Sequence, residues 1–322
     1  MILLYRICTD ANVEPGNNSA YQTIQSAVYS GNLIINVFPG IYNEQIVIDV
    51  NNLKIIGTNQ QNVVIISPKG QNGIIIRANN VFISNITIDS QTNNADVAIV
   101  IQDGMQPGNP NFNIGCNNTI VNCLIKGSSN RFAIYVAGAS YSAGSQTIQY
   151  YNNQQLQQNN TIIQNTLISN CDCDGFSFSL QKNGTFAHNI IIGSRLAVYM
   201  CIDSLIFNNT IQNSINNGIF LSTPSENCKL INNTILNCKQ QGIIVQNELE
   251  HNLINGINGK KFVIQNNSIQ NSQESCISIC GDVNNPIYGF LLQNNSFQQC
   301  GDHGIYLQYS YGRWNCFFLF TM

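Results

Sequence analysis

The sequence predicts a single all-β domain, a right-handed single-stranded parallel β-helix of about nine coils. Three observations lead to this fold class. An Asn-(Thr/Ser)-(Ile/Leu/Phe) motif recurs along the chain, and a second motif, a small residue followed by large ones, recurs behind it. The segments between the motifs are rich in β-branched residues and are punctuated by Gly, Asn and Ser. Strands separated by turns fit this pattern better than helices do.

The first motif predicts a column of asparagines, one at the same turn of each coil. The spacing is consistent with a period of about 24 residues, lengthened at some turns by insertions of about 10 to 20 residues. Asparagines stacked at the strand spacing of about 4.8 Å can hydrogen-bond to those above and below. The predicted asparagine ladder consists of Asn85, Asn122, Asn165, Asn189, Asn209, Asn233, Asn267 and Asn295.

The second motif follows each asparagine and predicts a second strand. Side chains alternate between the two faces of a strand, so the second and fourth residues of each copy face the core and the third faces outward. We expect the third residues to form an exposed sheet face that is often aromatic. The copies begin at Ala98, Ala133, Gly175, Ala197, Gly218, Gly242, Cys276 and Gly304, and the outward aromatic residues are Tyr135, Tyr199, Phe220 and Tyr306.

The two ends of the chain differ from the repeat. Ile24, Ala27 and Val28 have helical spacing and predict a short amphipathic helix that covers the open end of the core and its unpaired strand edge. Two strands are expected next, at residues 33–38 and 45–50. The predicted domain thus divides into an N-terminal cap with its first strands at 1–50, the coils at 51–310, and an irregular apolar tail at 311–322 that either plugs the last coil or buries its edge in a partner or a second copy.

The composition excludes several classes of function. Only 9 % of the residues are charged, against roughly 25 % in an average soluble domain. With 13 Lys+Arg, 16 Asp+Glu and a net charge of −3, the chain lacks the clustered basic residues that nucleic acids and anionic membranes require. A strongly polyanionic ligand is disfavoured for the same reason. No apolar run approaches the roughly 18 residues of a membrane span.

The cysteines and the first residues give further expectations. The twelve cysteines include no Cys-x-x-Cys pair and no histidine at metal-ligand spacing, so we expect no metal and no cofactor. Cys238 and Cys300 fall in one column of the repeat, which suits buried free thiols at least as well as disulfides. The apolar stretch Ile2–Tyr5 is shorter than a secretory signal core, which leaves a cytosolic protein and a removed signal both open.

Nine Asn-x-Ser/Thr sequons occur in the chain, but the repeat explains many of them. At regular coils the sequon arises because a ladder asparagine precedes the hydroxyl residue. The sequons are therefore weak support for secretion. Those of this kind begin at Asn208, Asn232, Asn266 and Asn294.

The opening segments Tyr21–Val28, Ile34–Glu44 and Leu53–Gly57 resemble the start of pectin methylesterases and several lyase-like families. The rest of the chain, from about Gly73, is similar to the generic coil repeat of the pectin-lyase-like superfamily, which also includes pectate lyases and polygalacturonases. This resemblance implies a carbohydrate-binding or carbohydrate-active protein of the lyase, hydrolase or esterase type, and it favours a secreted or cell-surface location.

The catalytic motifs of these families do not carry over. Asn130, Arg131 and Phe132 stand where methylesterases have a Gln-Asp pair, and Asp174 is one residue out of register with their second aspartate. The Gly-His-Gly of polygalacturonases is matched only loosely, at Asp302-His303-Gly304. The resemblance therefore covers the architecture and names no catalytic family.

A candidate site comes from charged residues that precede the second strand on successive coils. At about 4.8 Å per coil, Asp174 would lie between Arg131 and Arg195, a setting that keeps a carboxylate ionised as a nucleophile or base. Tyr135 and Tyr199 would offer platforms for the faces of a polysaccharide or glycan. The predicted catalytic residues are Asp174, Arg131 and Arg195, and the predicted substrate-binding residues are Asp96, Tyr135, Tyr199, Phe220, Asp302 and His303.

An alternative interpretation needs no ligand. Alternating charges on stacked turns reduce repulsion, at roughly 0–1 kcal/mol per pair, and exposed tyrosines are common on sheets. His303, beside a glycine turn, is then a solvated loop residue. The alternative function is a non-catalytic structural or adhesive solenoid.

Overall fold

The computed structural model describes residues 10–16, 20–101, 115–128, 132–137, 158–169, 174–179, 181–199, 201–223, 225–247, 261–281, 283 and 286–318. Within these ranges the chain forms one short helix, and almost all of its remaining regular structure is parallel strands. Each coil contributes three strands, and each strand pairs with its counterpart in the next coil. The predicted parallel β-helix is confirmed.

The strands form three ladders, and the ten strands of the third define coils 1 to 10, against about nine expected. The first ladder contains β1 (Ala11–Val13), β2 (Ile34–Val37), β5 (Lys54–Gly57), β8 (Phe82–Ser84), β11 (Thr119–Val121), β15 (Ile162–Gln164), β19 (Thr185–Ala187), β22 (Leu205–Phe207), β25 (Lys229–Ile231), β28 (Val263–Gln265), β31 (Ile287–Cys300) and β33 (Ser310–Phe318).

The second ladder follows each first strand after a bend and shares β31 with the first ladder. It contains β3 (Gly40–Asn43), β6 (Val63–Ile66), β9 (Thr87–Asp89), β12 (Leu124–Lys126), β16 (Leu167–Ser169), β20 (Ile190–Ile192), β23 (Thr210–Gln212), β26 (Thr234–Cys238) and β29 (Ser268–Ser272).

The third ladder is a separate sheet and contains β4 (Ile46–Ile48), β7 (Ile74–Ile76), β10 (Ile99–Ile101), β13 (Ile134–Ala137), β17 (Asp174–Ser179), β21 (Arg195–Tyr199), β24 (Ile219–Thr223), β27 (Ile243–Asn247), β30 (Ile277–Cys280) and β32 (Ile305–Gln308). A separate pair is formed by β14 (Gln158–Asn159) and β18 (Gln181–Lys182). The core lies between the ladders and is dominated by isoleucine, whose branched side chain packs well on a pleated surface.

The asparagine ladder is confirmed in coils 6 to 10. Asn189, Asn209, Asn233, Asn267 and Asn295 are at most 1 % exposed. The Nδ2 of each of the first four donates to the Oδ1 of the next asparagine, at 3.1, 3.0, 3.0 and 2.9 Å along the series. The same Oδ1 accepts from the backbone N–H of the preceding asparagine. The ladder thus satisfies buried polar groups of neighbouring coils, as a dry core requires.

Three members of the predicted column belong elsewhere. Asn85, Asn122 and Asn165 lie one residue before the ladder position. In coil 5 the ladder position is Thr166, whose backbone N–H donates to Asn189 Oδ1 at 2.9 Å. The three asparagines have positive φ, and they begin a surface column that we call the turn ridge. Asparagine tolerates this left-handed conformation better than most residues. The turn column therefore favours asparagine for its backbone, and the adjacent ladder column favours it for its hydrogen bonds. The turn ridge comprises Asn85, Asn122, Asn165, His188, Asn208, Asn232, Asn266 and Asn294, with φ between 50° and 56°.

The N-terminal cap is confirmed as helix α1 (Ile24–Tyr29), which buries Ile24, Ala27 and Val28. The carboxylate of Glu44 accepts the first two helical N–H groups, each at 2.9 Å. The side-chain amide of Gln25 bonds to both backbone groups of Val47, at 3.1 and 2.6 Å. This amide therefore takes the place of a neighbouring strand on the open edge of β4.

The other end differs from the expected irregular tail, because Ser310–Phe318 is strand β33, paired with β31. A disulfide joins Cys276 to Cys300, with 5.3 Å between the Cα atoms, and links coil 9 to coil 10. Cys123, Cys228, Cys238 and Cys280 are free thiols, the state that the sequence favoured for most of the cysteines. Burial raises the pKa values of Cys123, Cys228 and Cys238 to about 12, so these thiols are protonated and unreactive at neutral pH.

Candidate functional site

Of the predicted catalytic residues, Arg195 lies on the outer side of the third ladder. Asp174 is the backbone partner of Arg195, and the pairing is bulged between Asp174 and Phe176. Arg131 and the side chain of Asp174 lie outside what the structure describes. Arg195 is the predicted catalytic residue whose side chain and contacts the structure describes.

Polar and aromatic contacts hold the Arg195 guanidinium in place. Its Nη1 donates to Asn217 Oδ1 and its Nη2 to the Tyr199 hydroxyl, both at 3.2 Å. Its Cζ lies 4.9 Å from the ring centroid of Phe220, within the range of a cation–π contact. The rings of Tyr199 and Phe220 are 5.4 Å apart. Arg195, Tyr199 and Phe220 therefore form one cluster, and the guanidinium is already oriented there.

The register of Tyr199 differs from the prediction. Phe220 pairs with Ala197, so Tyr199 lies two residues beyond the column that Tyr135 and Phe220 share. The motif copy in β21 begins at Arg195, which occupies the place of the usual small residue. The prediction placed the start of this copy at Ala197, two residues too late. Because side chains alternate between faces with a period of two, a shift of two residues leaves Tyr199 on the outer face.

The outer face of the third ladder is the predicted exposed aromatic sheet only at its last strand, where Tyr306 is 39 % exposed. Phe220 is only 3 % exposed, and Val100 and Ile244 are also buried. The Tyr135 ring is half-buried and stacks on Phe132 with centroids 5.1 Å apart. Phe220 therefore presents no ring face to solvent and supports Arg195 instead.

The remaining predicted residues are spread along the solenoid. Asp96 lies beside coil 3, whereas Asp302 and His303 are exposed on coil 10. Seven steps of about 4.8 Å place these ends roughly 34 Å apart. The His303 ring packs against Tyr306 at 5.7 Å, and the structure shows no hydrogen bond between Asp302 and His303, both of which it describes. Asp96 and the Asp302–His303 pair thus do not lie in one site.

A second surface, which the sequence analysis missed, is a groove of about 720 Å³ on the outer face of the first ladder. It crosses coils 7 to 9. Its floor is apolar and its rim is polar, which is the usual arrangement of a ligand site. The floor is formed by Leu205, Phe207, Ile231 and Val263, and the rim carries Asp203, Ser204, Asn227, Lys229 and Lys261.

The rim places charges of both signs beside the apolar floor. Asn227 Nδ2 donates to Asp203 Oδ1 at 3.0 Å, which holds that carboxylate in position. The ammonium groups of Lys229 and Lys261 are exposed and form no ion pair with any carboxylate that the structure describes. The floor can contact the apolar face of a ligand while the rim hydrogen-bonds its hydroxyl or acidic groups.

An imidazole adjoins the floor of the groove. The His188 ring meets Phe207 in a T-shaped contact, with centroids 5.3 Å apart. Its Nδ1 lies 2.8 Å from Asn208 Nδ2, an amide donor, so the neutral ring carries its proton on Nε2. The His188 ring is therefore fixed in orientation beside Phe207.

A sequence signal for the groove exists. Leu205-Ile206-Phe207 is apolar at every position, although only Ile206 faces the core. Strands that are apolar on both faces at neighbouring coils indicate that the outer face is covered or binds a ligand. The repeat motifs predict an outward face only for the third ladder, so the apolar outer positions of the first ladder did not enter the predicted site.

The described residues contain no group of three or more His, Cys, Asp or Glu side chains placed to hold a metal ion. No helix in the described ranges is long and apolar enough to cross a membrane.

Comparison with known proteins finds no matching family model and no matching curated sequence. Among solved structures, ORF18 of Geobacillus virus E2 is similar with a TM-score of 0.60 and 13 % identity, over 96 % of this chain and 62 % of that one. The Agl-KA catalytic domain is similar with a TM-score of 0.57 and 16 % identity, over 88 % and 53 %. The A-module of mannuronan C-5 epimerase AlgE6 from Azotobacter vinelandii has a TM-score of 0.45 and 13 % identity, over 93 % and 95 %.

At these identities the likeness shows the fold and no specific activity. The chain spans about three fifths of the viral protein and about half of the Agl-KA domain. The solved structures that it resembles include carbohydrate-active enzymes. The parallel ladders, together with the likeness to ORF18 and to the Agl-KA domain, give the chain the right-handed parallel β-helix fold that its sequence predicted.

Proposed function

We propose that the protein binds a polysaccharide or glycan chain in the groove on the first ladder. The observation that carries this proposal is the apolar floor with Phe207, bordered by Asp203, Asn227 and two lysines. Sugars present apolar C–H faces that pack on aromatic and aliphatic side chains, and hydroxyls that need polar partners at the rim.

The dimensions of the groove support an extended ligand. Equivalent positions on neighbouring coils are about 4.8 Å apart, close to the length of one sugar unit. A chain lying along the solenoid axis would place successive units over Phe207 and Ile231 and beside Lys229 and Lys261. The lysines would select for acidic groups, and the asparagine and aspartate for hydroxyls.

Turnover of the glycan, by a lyase, hydrolase or esterase reaction, is a separate proposal for the third ladder. There Asp174 would act as nucleophile or base beside Arg195 and Arg131. The backbone pairing of Asp174 with Arg195 and the fixed guanidinium support this assignment. The two surfaces belong to different ladders, so variants separate them.

We expect Phe207→Ala and Ile231→Lys each to weaken glycan binding at least about tenfold, which is 1.4 kcal/mol. Phe207 supplies the aromatic surface, and a lysine at 231 would introduce a charge into the apolar floor. A panel of neutral and acidic glycans identifies the ligand, and calorimetric titration gives Kd. Ile190→Lys is the matched control, because Ile190 is an exposed apolar residue, 43 % accessible, on the outer face of the second ladder.

The outcomes separate the proposals. Unchanged binding in both groove variants, with loss in Arg195→Ala, would move the glycan site to the third ladder. Turnover that survives Asp174→Asn and Arg195→Ala would reject the catalytic assignment. A wild-type protein that binds no glycan on the panel would reject the function itself.

The second candidate function is a structural solenoid that associates at its C-terminal end. Leu307 is aligned with the fully buried Ile279, yet it is 38 % exposed, and it lies on the last strand of the third ladder. For this function we expect the wild type to self-associate with rising concentration in sedimentation velocity, and Leu307→Lys to remain monomeric. A wild type that stays monomeric up to high micromolar concentration would argue against this candidate.

A further inference from the structure

The turn ridge presents sequons on consecutive coils. We propose that Asn232, Asn266 and Asn294 are sites of N-linked glycosylation, and that the fold allows glycans only on coils that are not adjacent. All three residues are exposed, with φ of 56°, 54° and 53°. This proposal does not rest on the glycan-binding groove.

The amide groups of these three asparagines are available, unlike those of most exposed asparagines at other turns. Asn237 Nδ2 donates to Asn213 Oδ1 at 3.0 Å, and Asn271 Nδ2 donates to Asn237 Oδ1 at 2.9 Å. On the ridge itself, Asn208 is bonded to His188. In the described structure the side chains of Asn232, Asn266 and Asn294 make no hydrogen bond, so modification would break none.

The hydroxyl residues of the three sequons are also presented alike. Thr234, Ser268 and Ser296 pair in register in the second ladder, and none of them is buried. The middle residue of each tripeptide is a buried ladder asparagine, which anchors the backbone between the two surface side chains. The sequon that ends at Thr161 differs, because that threonine is fully buried.

The chemistry needs an activated sugar donor of the lipid-diphosphate class. The asparagine Nδ2 forms a bond to C1 of the first sugar, the C1–O bond of the donor breaks, and the diphosphate leaves as one amide proton is released. The middle residue of each sequon is buried in the asparagine ladder. In the folded chain each glycosylated asparagine therefore carries its sugar on the outside of the turn.

The spacing of the coils limits occupancy. Neighbouring ridge residues are about 4.8 Å apart, which is less than the width of an N-acetylhexosamine ring with its substituents. Asn266 therefore competes with both Asn232 and Asn294. The outer two are about 10 Å apart and can both carry a glycan.

The test is to secrete the full chain from eukaryotic cells behind an added leader peptide, and to measure occupancy of the folded fraction by intact-mass and glycopeptide mass spectrometry. We expect glycans on Asn232 and Asn294 together, or on Asn266 alone. Ser268→Ala removes the middle sequon and keeps Asn267, so occupancy of the outer two sites should rise. Gln270→Ala on the same strand is the matched control and should leave the distribution unchanged.

Two results would overturn the proposal. Absence of glycan from all three asparagines would reject the sites. Folded molecules that carry glycans on Asn266 and on a neighbour would reject the spacing limit. The double variant Asn232→Gln with Asn294→Gln retains only the Asn266 sequon of the three, and we expect one glycan at Asn266. It tests the spacing limit independently of whether Ser268→Ala folds.

Discussion

Replacing Asn233 by leucine is expected to lower the free energy of unfolding by about 2–6 kcal/mol. Asn233 Oδ1 accepts from the N–H and the Nδ2 of Asn209, both at 3.0 Å. Its Nδ2 donates to Ile206 O at 3.1 Å and to Asn267 Oδ1 at 3.0 Å. Leucine has a similar volume but removes all four bonds. Asn267 Oδ1 still accepts from the backbone N–H of residue 233, and Asn209 Nδ2 still donates to Phe186 O, both at 2.9 Å. The backbone N–H of Asn209 and the carbonyl of Ile206 lose their side-chain partner, at roughly 1–3 kcal/mol for each group left unpaired.

Urea unfolding followed by circular dichroism measures this effect. The matched control is Asn232→Gly, one residue away on the exposed turn ridge. Glycine adopts the φ of 56° without strain, so we expect a change within about 0.5 kcal/mol. A loss below about 1 kcal/mol for Asn233→Leu would show that the ladder bonds contribute little to stability.

Removing the disulfide by Cys276→Ser with Cys300→Ser is expected to destabilise coils 9 and 10 by about 3 kcal/mol. The bond closes a loop between residues 24 positions apart, and its loss returns that conformational freedom to the unfolded segment. Hydrogen exchange should show faster opening of these two coils than of coils 3 to 8.

Cys238→Ser is the control for the disulfide variant. Cys238 occupies the same column as Cys300, two coils earlier, and is a buried free thiol. Ser272 occupies the column between them, so a serine side chain fits at this place, although the Ser272 hydroxyl is buried without a hydrogen-bond partner. We expect a smaller loss for Cys238→Ser and no further effect of reductant. If the control opens coils 9 and 10 as strongly as the double variant, the stabilisation comes from packing and not from the covalent link.

The fold and the cap could be predicted from the sequence because both depend on local periodicity. A motif that returns once per coil indicates a solenoid, and the spacing of Ile24, Ala27 and Val28 identifies the buried side of α1. The ladder could be predicted because the side-chain amide of a buried asparagine finds few hydrogen-bond partners other than the asparagines above and below it. The alternation also assigned the core residues of most third-ladder strands correctly.

The sequence by itself thus determined the solenoid, its cap and its ladder, and the tertiary structure decided the register and the exposed surface. Asn85 and Asn209 look alike in sequence, yet one turns the chain and the other bonds inside the core, because both positions favour asparagine. Alternation states that Phe220 and Phe207 face outward, but not what packs against them. The contacts of these rings depend on residues that different coils bring together. Phe220 is buried beneath Arg195, whereas Phe207 lies in the floor of an open groove.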